Sequence, residues 1–282
     1  MKPVVRKMSL RTETPFTSDP RYNVLYADPS IYDIVSSPGT ARELDALERA
    51  DACYGRGVRR GSVWLEPACG SGRFLRLIAR RGRRVVGIDI SPSQVAYARE
   101  SLWRRGLSRR TRVLVADMTS FSECVSPRSI DFAFNTVNSI RHLMSDRIML
   151  AHFAQIARVL KPGGVYAVGI SLTDYAAYMS DEDVWVGARG PCRVTHVVNY
   201  LPLEHGGAKG RREQVISHLM VERPSSTTHI DGRFDLRTYD EKQWLALLRR
   251  SALRRVAVLD AKGETRRDQW LAYQIEVLAP RQ

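Results

Sequence analysis

The segment Glu66-Pro67-Ala68-Cys69-Gly70-Ser71-Gly72 has the residue types of a loop that cradles a ligand. Its small residues let backbone come close to a bound molecule, and the amphipathic stretch that follows would begin a helix whose N-terminus favours an anion. A nicotinamide or flavin fingerprint, GxGxxG, needs a third glycine where Leu75 stands, and no GKS or GKT follows as a Walker loop requires. Asp89 comes 17 residues after Gly72 and closes the next apolar run. A carboxylate there can accept two hydrogen bonds from a ribose diol. Asp117-Met118 closes the run after that, and Asn135-Thr136-Val137-Asn138-Ser139 closes the fourth. His142 is the nearest general-base candidate by sequence, with Asn138 a second polar candidate close by. His196, His218 and His229 fall on three expected strands without forming a local ligand pair. Cys53, Cys69, Cys124 and Cys192 make no CxxC, so no metal is expected.

These residues need strands to end beside one another. Between 62 and 170 the runs SVWLE (62–66), RVVGID (84–89), RVLVAD (112–117), IDFAFN (130–135) and VYAVGI (165–170) alternate with helical stretches. Runs of this length separated by helices read as parallel strands in βαβ units. Ser91-Pro92-Ser93-Gln94 supplies a helix cap, proline at the first helical position and glutamine three residues after the cap. Ile148, Phe153, Ile156 and Leu160 mark a further helix ending at Lys161-Pro162-Gly163-Gly164. Residues 193–201, 213–223 and 227–239 read as three antiparallel strands. A helix near 240–250 follows, with Thr238 and Glu241 in capping-box spacing, then strands near 254–260 and 270–278.

The expected organisation is an N-terminal arm and helical lid over 1–57, an α/β core over 58–170, an antiparallel insertion over 171–238 and closing core elements over 239–282. The 44% hydrophobic content suffices for a sizeable core, and no apolar stretch approaches a membrane span. The first residues show no apolar signal segment, and the cysteines read as reduced thiols, so a cytoplasmic location is expected. The net charge of +14 invites a nucleic-acid partner. Yet only six of the 44 basic residues are lysine, a bias that a GC-rich genome produces without any such partner. Arg73, Arg76 and Arg80 share one helical face, which is expected to be solvated.

VWLEPACGSGRFLRLIARRG resembles the first motif of the class I S-adenosylmethionine-dependent methyltransferases, with Ala68 where glycine is commonest. The resemblance extends over about residues 55–170 and implies a doubly wound Rossmann-like fold. Its seven-stranded, mostly parallel sheet would have the order 3-2-1-4-5-7-6, the last strand antiparallel, with an antiparallel β insertion after strand five. It implies S-adenosyl-L-methionine as cofactor and S-adenosyl-L-homocysteine as product. The residues implied to hold them are Glu66, Ala68, Cys69, Gly70, Gly72, Asp89, Ile90, Asp117, Met118 and Asn135. By the same resemblance Asp89 takes the ribose, Asp117 the adenine amino group and Met118 the ring face.

Asn135-Thr136-Val137-Asn138 lacks the prolines of amino-directed DNA methyltransferases, and the Pro-Cys of cytosine carbon-5 enzymes occurs only downstream, at Pro191-Cys192. The layout resembles the small-molecule branch, so a small-molecule N or O acceptor is expected. An RNA methyltransferase and a non-catalytic binding module on the same fold remain as alternatives. Tyr22, Tyr26 and Tyr32 are candidate lid contacts, and Tyr175, Tyr178 and Trp185, in the linker entering the insertion, are expected to border the acceptor pocket or the lid. A three-stranded unit cannot bury both its faces alone, so it should pack on the core or on another subunit, which leaves a homodimer open.

Overall fold

The computed structural model describes residues 24–57, 59, 61–177, 179–202, 210–265 and 273–281. Tyr22, Tyr178 and the start of the last expected strand lie outside them.

Three helices come first: α1 (Val24–Ala27), α2 (Pro29–Ser36) and α3 (Thr40–Tyr54). Asp28 caps α2 by accepting from the Ser30 and Ile31 N–H groups, and Pro29 opens it. The parallel strands are β1 (Val63–Pro67), β2 (Arg84–Asp89), β3 (Thr111–Val115), β4 (Ile130–Asn135) and β5 (Leu160–Ile170). They alternate with α4 (Arg73–Arg80), α5 (Pro92–Trp103) and α6 (Asp146–Val159). Ser91 caps α5 as its sequence pattern predicts, but the Gln94 side chain turns away to donate to the Tyr26 carbonyl, 3.0 Å away. Then come β6 (Asp181–Arg189), β7 (Cys192–Pro202), β8 (Arg212–Arg223), β9 (Ser226–Arg237), α7 (Glu241–Arg249), β10 (Leu253–Leu259) and β11 (Gln274–Pro280).

The main sheet runs β10-β11-β5-β4-β1-β2-β3, and β11 lies antiparallel to both its neighbours. Read from the other edge, this is the expected order. Helices cover both faces: Leu44, Phe74, Ile78 and Val95 pack on Trp64 and Phe134, and Phe153, Ile156, Trp244 and Leu247 pack on Leu65 and Tyr166. Strand order reverses between β1 and β4, and a doubly wound sheet opens its ligand crevice beyond the strand ends at that point.

The insertion after β5 has four strands, β6-β7-β8-β9, not three. Its first strand is mostly exposed, so it carries no period-two burial pattern. The helix α7 is capped by Asp240 with Gln243, not by Thr238 with Glu241. The arginine face of α4 is also not solvated throughout. Arg73 and Arg76 are buried, bonding Glu43 of α3 and Asp33 of α2, while Arg80 is exposed. Helices α2 and α3 therefore lie on this face, and Leu25, Ile31, Ile34 and Val35 of α1 and α2 pack on Val194, Leu219 and Val221 of the second sheet.

Candidate active site

Two cavities meet at the carboxyl ends of the parallel strands. The smaller, about 430 Å³, is lined by Ala68 and Gly70 after β1, Asp89 and Ile90 after β2, and Asp117 and Met118 after β3. The larger, about 600 Å³, lies between the β4 end, helices α1 and α2, and the second sheet. Tyr26, Tyr32, Ser139 and His142 line both.

The loop after β1 is tightly determined. Gly70 has φ +50°, and a Cβ there would sit 2.8 Å from the Tyr32 ring. Asp89 Oδ2 accepts from the Gly70 N–H at 2.7 Å, and Oδ1 accepts from the Ser91 N–H at 2.9 Å. Each oxygen keeps acceptor capacity for a diol. Burial pushes the Asp89 carboxyl above its ordinary value, and these N–H groups oppose that shift. Asp117 accepts from the backbone and hydroxyl of Thr119, both at 2.7 Å. The Met118 carbonyl is bonded to His152 Nδ1 at 2.8 Å, and His152 Nε2 meets the Tyr166 hydroxyl at 2.8 Å.

Four of the cofactor candidates line neither cavity. Cys69 turns its thiol into the core, and Gly72 packs against Ala98. Asn135 is buried and donates to the Pro67 carbonyl at 2.6 Å, tying β4 to β1, while its Oδ1 has no partner. Glu66 is 6% exposed, and its Oε2 is also unpartnered. Burial pushes its carboxyl well above the ordinary range, and the Arg73 cation opposes this. Of the insertion candidates, Trp185 lies in β6 itself and lines the larger cavity. Tyr175 lines neither cavity; its hydroxyl is engaged by Thr238 at 2.9 Å and Gln243 at 3.2 Å.

His142 stands at the junction. Its Nε2 is 3.3 Å from the Tyr26 hydroxyl, and its ring stacks on Phe234 with centroids 5.5 Å apart. Burial lowers its pKa to about 4, and the Arg141 cation adds to the effect. Sequence separation hid this contact, since Tyr26 lies 116 residues away. His142 is thus a neutral imidazole at physiological pH. The unfolded ring titrates near 6.5 and the folded ring near 4, so this ring's contribution to stability falls as pH drops through that window. An NMR titration should leave the His142 ring signals unmoved from about pH 7.5 to 5.5. An apparent pKa above 6 would refute the neutral assignment.

Asn138, at φ +59°, donates its amide to Ser171 Oγ at 3.0 Å and accepts from the Ser171 N–H at 2.7 Å. It shapes the larger cavity's wall, its side-chain amide engaged at both ends. His218 and His229 meet across β8 and β9 with ring nitrogens 3.2 Å apart, whereas His196 bonds Ser217. Among the described residues no group of three or more such side chains could hold a metal ion.

Residues 65–164 match the methyltransferase domain family. The S-adenosyl-L-methionine-dependent Diels-Alderase iccD of Talaromyces variabilis is 37% identical over 108 residues, which are 38% of this chain and 36% of that protein. The demethylmenaquinone methyltransferase of Tropheryma whipplei is 32% identical over 120 residues, 43% of this chain and 46% of that protein. The chain thus spans less than half the length of these curated relatives. The crystal structure of the sugar N-methyltransferase KedS8 from Streptoalloteichus superposes with a TM-score of 0.68 at 18% identity, covering 100% of both chains. Residues 65–164 are thus similar to a methyltransferase domain, and the fold is shared with this solved methyltransferase. The acceptor capacity left on Asp89, which lines the smaller cavity, fits a nucleoside cofactor that carries hydroxyl groups.

Proposed function

We propose that the protein transfers a methyl group from S-adenosylmethionine to the amine nitrogen of a small molecule held in the larger cavity. The observation that carries this reading is the junction of the two cavities at Tyr26, Tyr32, Ser139 and His142. When bound, S-adenosylmethionine supplies the electrophilic methyl group. Asp89 would hold the ribose, Asp117 the adenine edge and Met118 the ring. Glu66, held near Arg73 and Asp89, is proposed to balance the amino-acid end. What remains for the protein is alignment and exclusion of water.

The neutral His142 supports nitrogen over oxygen. A base with a pKa of about 4 is too weak to remove an alcohol proton, but it can accept a hydrogen bond and orient a neutral amine. The amine lone pair then attacks in line without prior deprotonation by the enzyme. The likeness to a sugar N-methyltransferase supports an amine on a polar ring as the acceptor class. Leu25, Val35, Trp185, Val198, Phe234 and Leu236 supply apolar wall for the rest of the molecule.

A panel of amines and matched alcohols should show methyl incorporation into amines alone. The rate should rise with pH until the acceptor's own amine is deprotonated. His142→Ala should lower kcat/KM by about tenfold, as for losing one orienting hydrogen bond of about 1.4 kcal/mol. Exclusive O-methylation would overturn the nitrogen assignment, and incorporation into transfer or ribosomal RNA would overturn the small-molecule assignment.

A further inference from the structure

Helix α2 touches the loop after β1 and the second sheet at consecutive residues. Tyr32 lies against Gly70. Asp33, next in sequence, is 1% exposed. Its Oδ1 accepts from Ser71 Oγ at 2.6 Å and Arg76 Nη2 at 2.5 Å. Its Oδ2 accepts from Arg189 Nη2 at 2.5 Å and the Tyr97 hydroxyl at 3.1 Å. Ile34 follows, and its carbonyl occupies the place where a side chain at Gly187 would go, so β6 docks on α2 backbone to backbone.

Ser71 sits in the cofactor loop between Gly70 and Gly72, and Arg189 ends β6, whose residues Asp183 to Val186 wall the larger cavity. One buried carboxylate therefore bonds both. We infer that Asp33 is a positioning residue that couples the two cavities: closure of the loop on the cofactor fixes Ser71, and Asp33 with Arg189 transmits that order to the β6 wall of the acceptor cavity. This inference rests on the cofactor reading given above.

The physical reason is the cost of an orphaned charge. A buried ion that loses its partners is strongly penalised, so the loop and the strand cannot shift independently while Asp33 holds both. Arg76 is itself only 8% exposed and has the same constraint. Coupling between two binding sites is reciprocal, so loosening β6 must also weaken the cofactor. Arg189 is the informative position because its side chain is 44% exposed and lines neither cavity.

Hydrogen–deuterium exchange on the full chain, with and without saturating S-adenosylhomocysteine, tests this. Protection is expected at the loop around Ser71 and Asp89 and also across β6. In Arg189→Ala the loop should still be protected while β6 no longer responds, and Arg189→Lys should restore part of the response. Arg189→Ala should also weaken S-adenosylhomocysteine by roughly fivefold or more, the lower end of typical coupling. A merely structural contact would leave the ligand response of β6 unchanged. Loop protection without β6 protection in the parent protein, or an identical β6 response in Arg189→Ala, overturns the coupling alone. Absence of protection at the loop itself overturns the cofactor reading and this inference with it.

Discussion

Asp89→Ala is expected to weaken S-adenosylhomocysteine about 100-fold, the larger of two effects on binding that the site predicts. A hydrogen bond to a charged group contributes about 1.5–3 kcal/mol, and the carboxylate would give up two to the ribose. It also loses the N–H groups of Gly70 and Ser91 that it holds at 2.7 and 2.9 Å, so the loop after β1 loosens together with the contacts. A loss of about 3 kcal/mol corresponds to that factor in dissociation constant. Asp89→Asn keeps the shape and one acceptor oxygen and should fall between. Titration calorimetry reads both variants. Unchanged affinity in Asp89→Ala would remove Asp89 from the site.

That prediction follows from the part of the fold most legible in the sequence. Five apolar runs with helical spacers dictated the parallel sheet, because strands buried on both faces are continuously apolar and their boundaries are marked by Gly, Pro and Asp. Gly70, Asp89 and Met118 were legible for the same reason: each follows a strand end, and strand ends converge at the switch point. Contacts made by tertiary packing were not legible. The Arg73 and Arg76 pattern on α4 looks like a wet face until α2 and α3 bring Asp33 and Glu43 onto it. The strand β6 escaped because Asp181, Glu182 and Asp183 precede a short apolar stretch whose two faces are both largely exposed. Tyr175 could be read only as an aromatic near the insertion; its hydroxyl is committed to Thr238 and Gln243, a partnership that needs α7 in place.

The charge balance has the same lesson. A net charge of +14 describes the whole chain, but part of it never faces a partner. Arg73, Arg76, Arg83 and Arg141 are all buried and each is bonded to a carboxylate, on Glu43, Asp33, Glu48 and Glu213. Such arginines tie segments together, and their removal acts on stability before it acts on any surface potential.

Arg141 carries the largest expected effect on stability. Its guanidinium is 3% exposed, donates to Glu213 Oε2 at 2.5 Å and to the Arg237 carbonyl at 2.8 Å. It joins the turn after β4 to strands β8 and β9, and so fixes the second sheet against the main one. Arg141→Met removes the cation and breaks its buried ion pair with the Glu213 carboxylate, which is 6% exposed. Breaking a buried pair from one side costs about 3–5 kcal/mol. For a chain of this length that is a fall in Tm of roughly 10 °C, at about 2–4 °C per kcal/mol. Pairing Arg141→Met with Glu213→Leu should recover most of the loss, because an apolar pair of similar volume replaces the broken ion pair. The same variant reaches the junction of the cavities. The Arg141 cation helps to depress the His142 pKa, so its removal should move that pKa upward from about 4, with burial still holding it below 6.5. Calorimetric Tm and the His142 NMR titration, taken on one preparation, separate the two consequences. A Tm within about 2 °C of the parent would show that the pair contributes little, and an unmoved His142 titration would show that burial alone sets its protonation.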